Sequence, residues 1–134
     1  MDMARLEEML EECVKPQNEA DRRPVFEVVA IMGSTEQGAV DPLDKILSLR
    51  SKYEKKGLTF VVHCDAAWGG YFASMLVDGR WPKWPPVNSH DGSYVPELAL
   101  KPYTRDQLVA YKHADSITID PHKCVALSDF LCCY

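Results

Sequence analysis

The sequence lacks the features of several protein classes. No apolar run approaches the roughly 20 residues that span a bilayer. No basic, apolar leader opens the chain, because its first turns carry four glutamates (Glu7, Glu8, Glu11 and Glu12). The five cysteines are an odd number at irregular spacing, which suits a reducing compartment better than a disulfide framework. We therefore expect a soluble, cytoplasmic protein without a signal peptide and without a membrane partner.

Clustered positive charge is also scarce. The formal net charge is −5, and the basic pairs are Arg22–Arg23 and Lys55–Lys56. A nucleic-acid surface needs grouped Lys and Arg, so we expect no nucleic-acid partner. We find no internal repeat. With 46% hydrophobic and 26% charged residues, the chain has an ordinary globular composition, and its 134 residues predict one domain.

The hydrophobic pattern predicts an α/β fold. An amphipathic helix is indicated near the N-terminus by apolar residues at helical spacing: Met3, Leu6, Met9, Leu10, Cys13 and Val14. Residues 25–32 form a near-continuous apolar run, which predicts a strand covered on both faces. Asp41 as N-cap and Pro42 in the first turn predict a helix that Gly57 closes. Residues 59–63 then predict a second strand, parallel to the first in a βαβ unit.

The later part of the chain is less regular. Residues 77–102 hold Trp81, Trp84 and five of the nine prolines, and we interpret them as an irregular excursion that lines a site or a subunit contact. Thr104 and Gln107 predict a capping box that opens a short helix ending at Tyr111. Residues 116–119 alternate Ser, Ile, Thr and Ile like a third strand.

Two predicted strand ends concentrate reactive side chains, at residues 63–72 and 120–123. Ligands of α/β sheets bind beyond the carboxyl ends of strands, so these segments could share a crevice. An amine at Lys123 and a buried carboxylate at Asp65 match two needs of pyridoxal phosphate (PLP): a lysine for its aldehyde and a carboxylate that keeps its ring nitrogen protonated. Each residue alone also has an ordinary explanation. Asp65 could cap a turn, and most lysines are solvated.

Three stretches resemble one known family, the group II PLP-dependent decarboxylases of the aspartate-aminotransferase fold type. They are Val-Ala-Ile-Met-Gly-Ser-Thr-Glu-Gln-Gly-Ala-Val-Asp-Pro-Leu at 29–43, His-Cys-Asp-Ala-Ala-Trp-Gly-Gly-Tyr-Phe at 63–72, and His-Ala-Asp-Ser-Ile-Thr-Ile-Asp-Pro-His-Lys at 113–123. The wording of the first stretch most resembles the tyrosine-decarboxylase-like branch. The resemblance implies a mostly parallel sheet with flanking helices.

The resemblance also implies roles for single residues. Lys123 would bind the cofactor's aldehyde, Asp65 would pair with its ring nitrogen, and Ala67 would pack on its ring. His122 would lie near the phosphate or the reacting centre, and Thr35 near the cofactor or the substrate carboxylate. The implied enzyme is a carboxy-lyase that decarboxylates an L-amino acid. Tyrosine or another aromatic amino acid is the best guess, with glutamate and aspartate open.

Family members are several times longer and form homodimers with active sites at the subunit interface. Residues 1–134 would therefore be part of the PLP-binding large domain, without its upstream part and without the C-terminal small domain. Residues 124–134 lack the Gly, Tyr and Pro-rich run that the family has there. We expect the chain alone to be unstable or to aggregate, to bind PLP weakly or not at all, and to be inactive or weakly active.

Two alternatives stay open. The chain could be a non-catalytic partner that docks on a full-length homologue. It could also hold zinc through a set of histidines and cysteines: His63, Cys64, His122, Cys124, Cys132 and Cys133. Their spacing matches no familiar zinc signature, so we expect no metal.

Overall fold

A computed structural model describes residues 1–15, 22–76 and 100–124. The elements are α1 (Met3–Val14), β1 (Glu27–Ile31), α2 (Leu43–Glu54), β2 (Val61–Asp65), α3 (Pro102–Ala110), β3 (Ser116–Thr118) and α4 (Pro121–Cys124). Two 3₁₀ segments, Gly70–Leu76 and Tyr111–His113, flank α3 in the chain. This order confirms the predicted α/β class. Within the described ranges no helix has the length and apolar character needed to cross a bilayer.

The three strands form one parallel sheet in the order β1-β2-β3, so the predicted parallel βαβ unit is confirmed. Ala30 pairs with Cys64, and Cys64 pairs with Ile117. The His63 ring also ties β2 to β3, because its Nδ1 lies 2.7 Å from Ser116 Oγ and its Nε2 lies 3.1 Å from Thr118 Oγ1. All three strands therefore end at one edge of the sheet.

Helices α1, α2 and α3 pack on one face of the sheet, and no described helix covers the opposite face. Val28, Ala30, Val62 and Cys64 are buried in a core that also takes side chains from α1, α2 and α3 (Leu10, Leu43, Ile46, Tyr53 and Leu108). The alternate residues of β1 are exposed. The prediction that residues 25–32 are covered on both faces is therefore wrong for the part of the chain described. A continuous apolar run does not reveal whether a second layer lies within reach.

Helix α2 begins differently from the prediction. Asp41 is not its cap, because Asp41 Oδ2 accepts the backbone N–H of Ile31 at 2.8 Å and Pro42 occupies the N-cap position. One backbone N–H of the first turn, that of Asp44, donates instead to Gln107 Oε1 at 3.0 Å. Gly57, with φ +81°, follows the helix, as predicted.

Helix α3 also departs from the prediction. It begins at Pro102, with Lys101 as N-cap, so Thr104 and Gln107 form no capping box. Gln107 is 1% exposed and faces α2. Most of the predicted excursion at 77–102 lies outside the described residues, except that Pro102 belongs to α3. A short pattern such as Thr-x-x-Gln cannot reveal that the glutamine has a more distant partner.

Candidate functional site

The segments that follow the three strands are hydrogen-bonded to one another. The N–H of Met32 donates to the carbonyl of Asp65 at 2.8 Å, and the N–H of Ala66 donates to the carbonyl of Thr118 at 3.0 Å. A longer bond of 3.4 Å joins the N–H of Asp120 to the carbonyl of Ala67. The two reactive segments recognised in the sequence therefore lie side by side at the carboxyl edge of the sheet.

Two of these segments touch through glycine. A Cβ built on Gly69 would lie 1.8 Å from the carbonyl oxygen of Met32, and one built on Gly33 would lie 3.1 Å from the backbone of Gly69. Gly33 also has φ +107°, a conformation that side chains rarely allow. The chain after β1 and the chain after β2 can approach this closely only because both positions lack a side chain.

A cavity of about 650 Å³ opens beside this contact. Its wall is mostly apolar, with hydroxyl groups and one amine; it includes Met32, Val40, Trp68, Phe72, Met75, Leu100, Leu108, Ser34, Thr35, Thr104, Tyr111 and Lys123. The volume lies within the range of small-molecule sites. Of the predicted site residues, Thr35 and Lys123 contribute to this wall.

Residues 33–39 form a closed loop at the mouth of the cavity. The carbonyl of Ala39 accepts the N–H groups of Gly33 and Ser34, both at 3.0 Å, and Ser34 Oγ accepts the N–H of Ala39 at 3.0 Å. Met32 and Val40 form an antiparallel bridge at the base of the loop. Thr35 is exposed within this loop, so its hydroxyl is accessible at the cavity.

Lys123 forms an ion pair with a residue to which the sequence reasoning gave no role. Its Nζ lies 2.6 Å from Asp120 Oδ2, with 33% and 27% of the two side chains exposed. The hydrogen bond from Lys123 is the main reason why the pKa of Asp120 lies below its usual value. The three-residue spacing in Asp-Pro-His-Lys is the signal that could have revealed this pair.

The other three predicted residues lie outside the cavity wall. Asp65 is half-buried, and strand alternation places it on the sheet face opposite Cys64. Its Oδ1 accepts the N–H of Ala67 at 3.2 Å. Ala67 is 9% exposed, and His122 is exposed on the turn that carries Lys123. The structure thus brings Asp65 and Lys123 to one edge of the sheet, whereas only Lys123 faces this cavity.

Two buried, weakly acidic groups lie at or near the site: Tyr111 on the cavity wall and Cys64 in the core of the sheet. Burial raises the pKa of the Cys64 thiol to about 11 and also raises the pKa of Tyr111. The Tyr111 hydroxyl is buried and has no hydrogen-bond partner among the described residues. Both groups therefore stay neutral at physiological pH.

The zinc alternative gains no support from the described residues, among which no group of three His, Cys, Asp or Glu could hold a metal ion. Both ring nitrogens of His63 are bonded to hydroxyl groups, and Cys64 lies on the other face of the sheet. Cys132, Cys133 and the Cys124 side chain lie outside what the structure describes.

Comparisons with known proteins identify relatives of the chain, although no protein-family profile matches it. The L-tyrosine decarboxylase of Levilactobacillus brevis is 38% identical over 110 residues, 78% of this chain and 18% of the relative. The L-tyrosine decarboxylase of Enterococcus faecium is 34% identical over 140 residues, 92% of this chain and 20% of the relative. That of Enterococcus faecalis is 41% identical over 106 residues, 75% of this chain and 17% of the relative. The chain thus spans about a fifth of the length of these relatives.

Proposed function

Because this chain is related to the tyrosine-decarboxylase-like branch of the group II decarboxylases, we propose that it is part of a PLP-dependent carboxy-lyase. Its substrate would be an L-amino acid. The names of these relatives favour tyrosine, and a probable L-aspartate decarboxylase of Haloarcula marismortui, 30% identical over 96 residues, keeps aspartate open. The complete enzyme would be a cytoplasmic homodimer, and residues 1–134 would be part of its large domain.

One observation carries this proposal. The segment that bears Asp65 and the segment that leads to Lys123 are hydrogen-bonded side by side at the carboxyl edge of a parallel sheet. The ε-amine of Lys123 lies on the wall of a cavity at that same edge. Ligands of such sheets bind at this edge. The arrangement supports a ligand site at this edge with Lys123 on its wall, whereas the Asp65 carboxylate lies at the same edge but outside that wall.

The residues present fit PLP in their chemistry. The cofactor needs a lysine amine, a carboxylate and hydroxyl or backbone donors, and the edge of the sheet offers Lys123, Asp65, Ser34 and Thr35. The Gly33–Gly69 contact leaves no side chain between the loop at 33–39 and the segment after β2. This backbone contact fixes the relative position of two segments that border the cavity.

When bound, PLP supplies the electron sink for the breaking bond between Cα and the carboxylate. Lys123 would hold the cofactor's aldehyde carbon through its Nζ. Asp65 would keep the proton on the ring nitrogen, and Ala67, whose N–H already orients Asp65 Oδ1, would pack on the ring. Thr35 would orient the substrate carboxylate or the cofactor. His122, exposed beside Lys123, would bind the phosphate or serve the reacting centre.

Borohydride trapping on the purified chain tests the assignment of Lys123. After incubation with PLP and reduction, mass spectrometry should find the pyridoxyl group on Lys123 ahead of the exposed Lys112, and Lys123→Ala should remove it. Because the chain lacks most of the length of its relatives, we expect millimolar PLP to be needed. Equal labelling of Lys123 and Lys112 would contradict the assignment. An absorbance band of lysine-bound PLP that survives dialysis would contradict weak binding.

A second candidate is favoured by the open face of the sheet, where Val29 and Val61 are 40% and 37% exposed. In this hypothesis the chain has no catalytic role and docks on a full-length homologue. Co-purification of the tagged chain with a full-length L-tyrosine decarboxylase would separate the two hypotheses, because an isolated enzyme fragment has no reason to bind the complete enzyme at a fixed ratio.

A further inference from the structure

Among the ion pairs of the described residues, the Lys123–Asp120 pair is distinguished by an amine that lies on the cavity wall. The pair Arg5–Glu8 has the same three-residue spacing, but both of its side chains are 59% exposed and it lies on the outer side of α1. The Lys123–Asp120 pair is half as exposed, and its amine is part of the cavity wall. Partial shielding from water strengthens an ion pair. Because the amine lies on the cavity wall, its position affects how it can contact a molecule in the cavity.

The backbone of Asp120 is held by hydrogen bonds on both sides. Its backbone N–H is bonded to Ala67, and its carbonyl accepts the N–H of Lys123 at 3.2 Å. The following Pro121 restricts the backbone of Asp120 further. The lysine, in contrast, has a flexible four-carbon stem that visits many rotamers when nothing holds its end. The short side chain of Asp120 therefore has few positions available, and the longer lysine side chain reaches it.

We propose that Asp120 is a positioning residue for Lys123, which holds the ε-ammonium group at the rim of the cavity. The inference rests on the proposed function only in the role that it gives to Lys123. Asp120 thereby sets the place of the amine, although it does not touch the substrate itself.

Few other charges face this amine among the described residues. On its own turn the titratable groups are Asp120 and His122, and on the cavity wall the titratable neighbour is Tyr111. Burial raises the pKa of Tyr111, so its hydroxyl stays neutral through the range in which lysines titrate. A protonated His122 favours the charged form of Asp120. Asp65, the acidic group at the neighbouring strand end, is present in both the wild-type chain and the Asp120→Asn variant, so it does not contribute to a difference between them. A change in the reactivity of Lys123 on removal of the Asp120 charge can therefore be assigned to Asp120.

The test is residue-resolved labelling of amines in the full chain, without cofactor. Trace acetic anhydride is applied in dilute solution from pH 7 to pH 11, and mass spectrometry gives the labelling of each lysine. In Asp120→Asn the labelling of Lys123 at pH 8 should rise about two- to fivefold, as expected for loss of a partly exposed ion pair. Asp120→Glu, which keeps a carboxylate, should restore most of the wild-type profile.

The matched control is Glu7→Gln, which removes the acidic partner of Lys52 on another surface. It should raise the labelling of Lys52 and leave that of Lys123 unchanged. An unchanged Lys123 profile in a folded Asp120→Asn chain would overturn the proposal. Should that variant fail to fold, the wild-type chain decides: raising NaCl from 0.02 to 1 M screens the pair and should increase Lys123 labelling, and no increase overturns the proposal.

The outcome does not depend on cofactor binding. If Asp120→Asn changes Lys123 as expected while borohydride trapping gives no preference for Lys123, the positioning role stands and the cofactor assignment fails. If trapping selects Lys123 while Lys123 labelling is the same in Asp120→Asn and wild type, the cofactor assignment stands and the positioning role fails.

Discussion

Cys64 lies in the middle of β2 with none of its surface exposed, and its thiol is the buried group that should make the fold sensitive to alkali. Burial raises its pKa from 9.0 to about 11, because a thiolate would lose its hydration in the core. Below pH 9 the thiol is protonated in both folded and unfolded chains, so it has no effect on the pH dependence. Between pH 9 and pH 11 only the unfolded chain loses the proton, which favours unfolding.

We therefore predict that the free energy of unfolding falls by about 1.4 kcal/mol per pH unit between pH 9 and pH 11 from Cys64 alone. Tyr53, whose pKa burial raises to about 12, adds to the loss above pH 10. Urea unfolding followed by circular dichroism at pH 8 and pH 10 measures the slope. Cys64→Ala should flatten it, whereas Cys13→Ala, at a half-buried free cysteine, should leave it unchanged. Equal slopes in wild type and Cys64→Ala would contradict the prediction.

At the scale of elements, helix α2 depends on helix α3 for its first turn. Gln107 is 1% exposed, and its Oε1 accepts the N–H of Asp44. We predict that Gln107→Met, which keeps the volume but removes the acceptor, lowers the free energy of unfolding by about 1–3 kcal/mol. Asp106→Asn changes an exposed neighbour on α3 and should shift stability by less than about 0.5 kcal/mol. Denaturant titration of the wild-type chain and the two variants measures both shifts. Equal shifts in the two variants would contradict the role of Gln107 as the acceptor for the first turn of α2.

The hydrogen bond between Asp44 and Gln107 illustrates which parts of the structure can be predicted from sequence. Helices α1 and α2 and strands β1 to β3 were predicted near their observed places, because apolar periodicity is a local signal. The cap of α2 was not, because its acceptor comes from a residue 63 positions away in the chain. In the site, the two strand-end segments were recognised from residue types, and the spacing of Asp120 and Lys123 could have indicated their ion pair. The positions of Asp65 outside the cavity wall and of Lys123 on it depend on side-chain directions. Sequence pattern does not specify those directions.

At the scale of the whole molecule, the helices of residues 1–15, 22–76 and 100–124 leave one sheet face without a covering layer. Val29, Ile31 and Val61 are 40%, 37% and 37% exposed there, and β3 is exposed along its whole length. Exposed apolar patches and unpaired strand edges favour association. The relatives are about five times longer than this chain, so their additional segments are the natural cover for this face.

We predict that the isolated chain associates at micromolar concentration through this face and that Val61→Lys weakens the association. Lysine at position 61 would lie opposite Glu27 in the β1–β2 register, so it adds a cross-strand ion pair while removing apolar surface. Sedimentation velocity of the two proteins measures the change. Val109→Lys is the control, because Val109 is a 44% exposed apolar residue on α3, away from the sheet face. If Val109→Lys reduces association as much as Val61→Lys does, general hydrophobicity rather than the open face drives association.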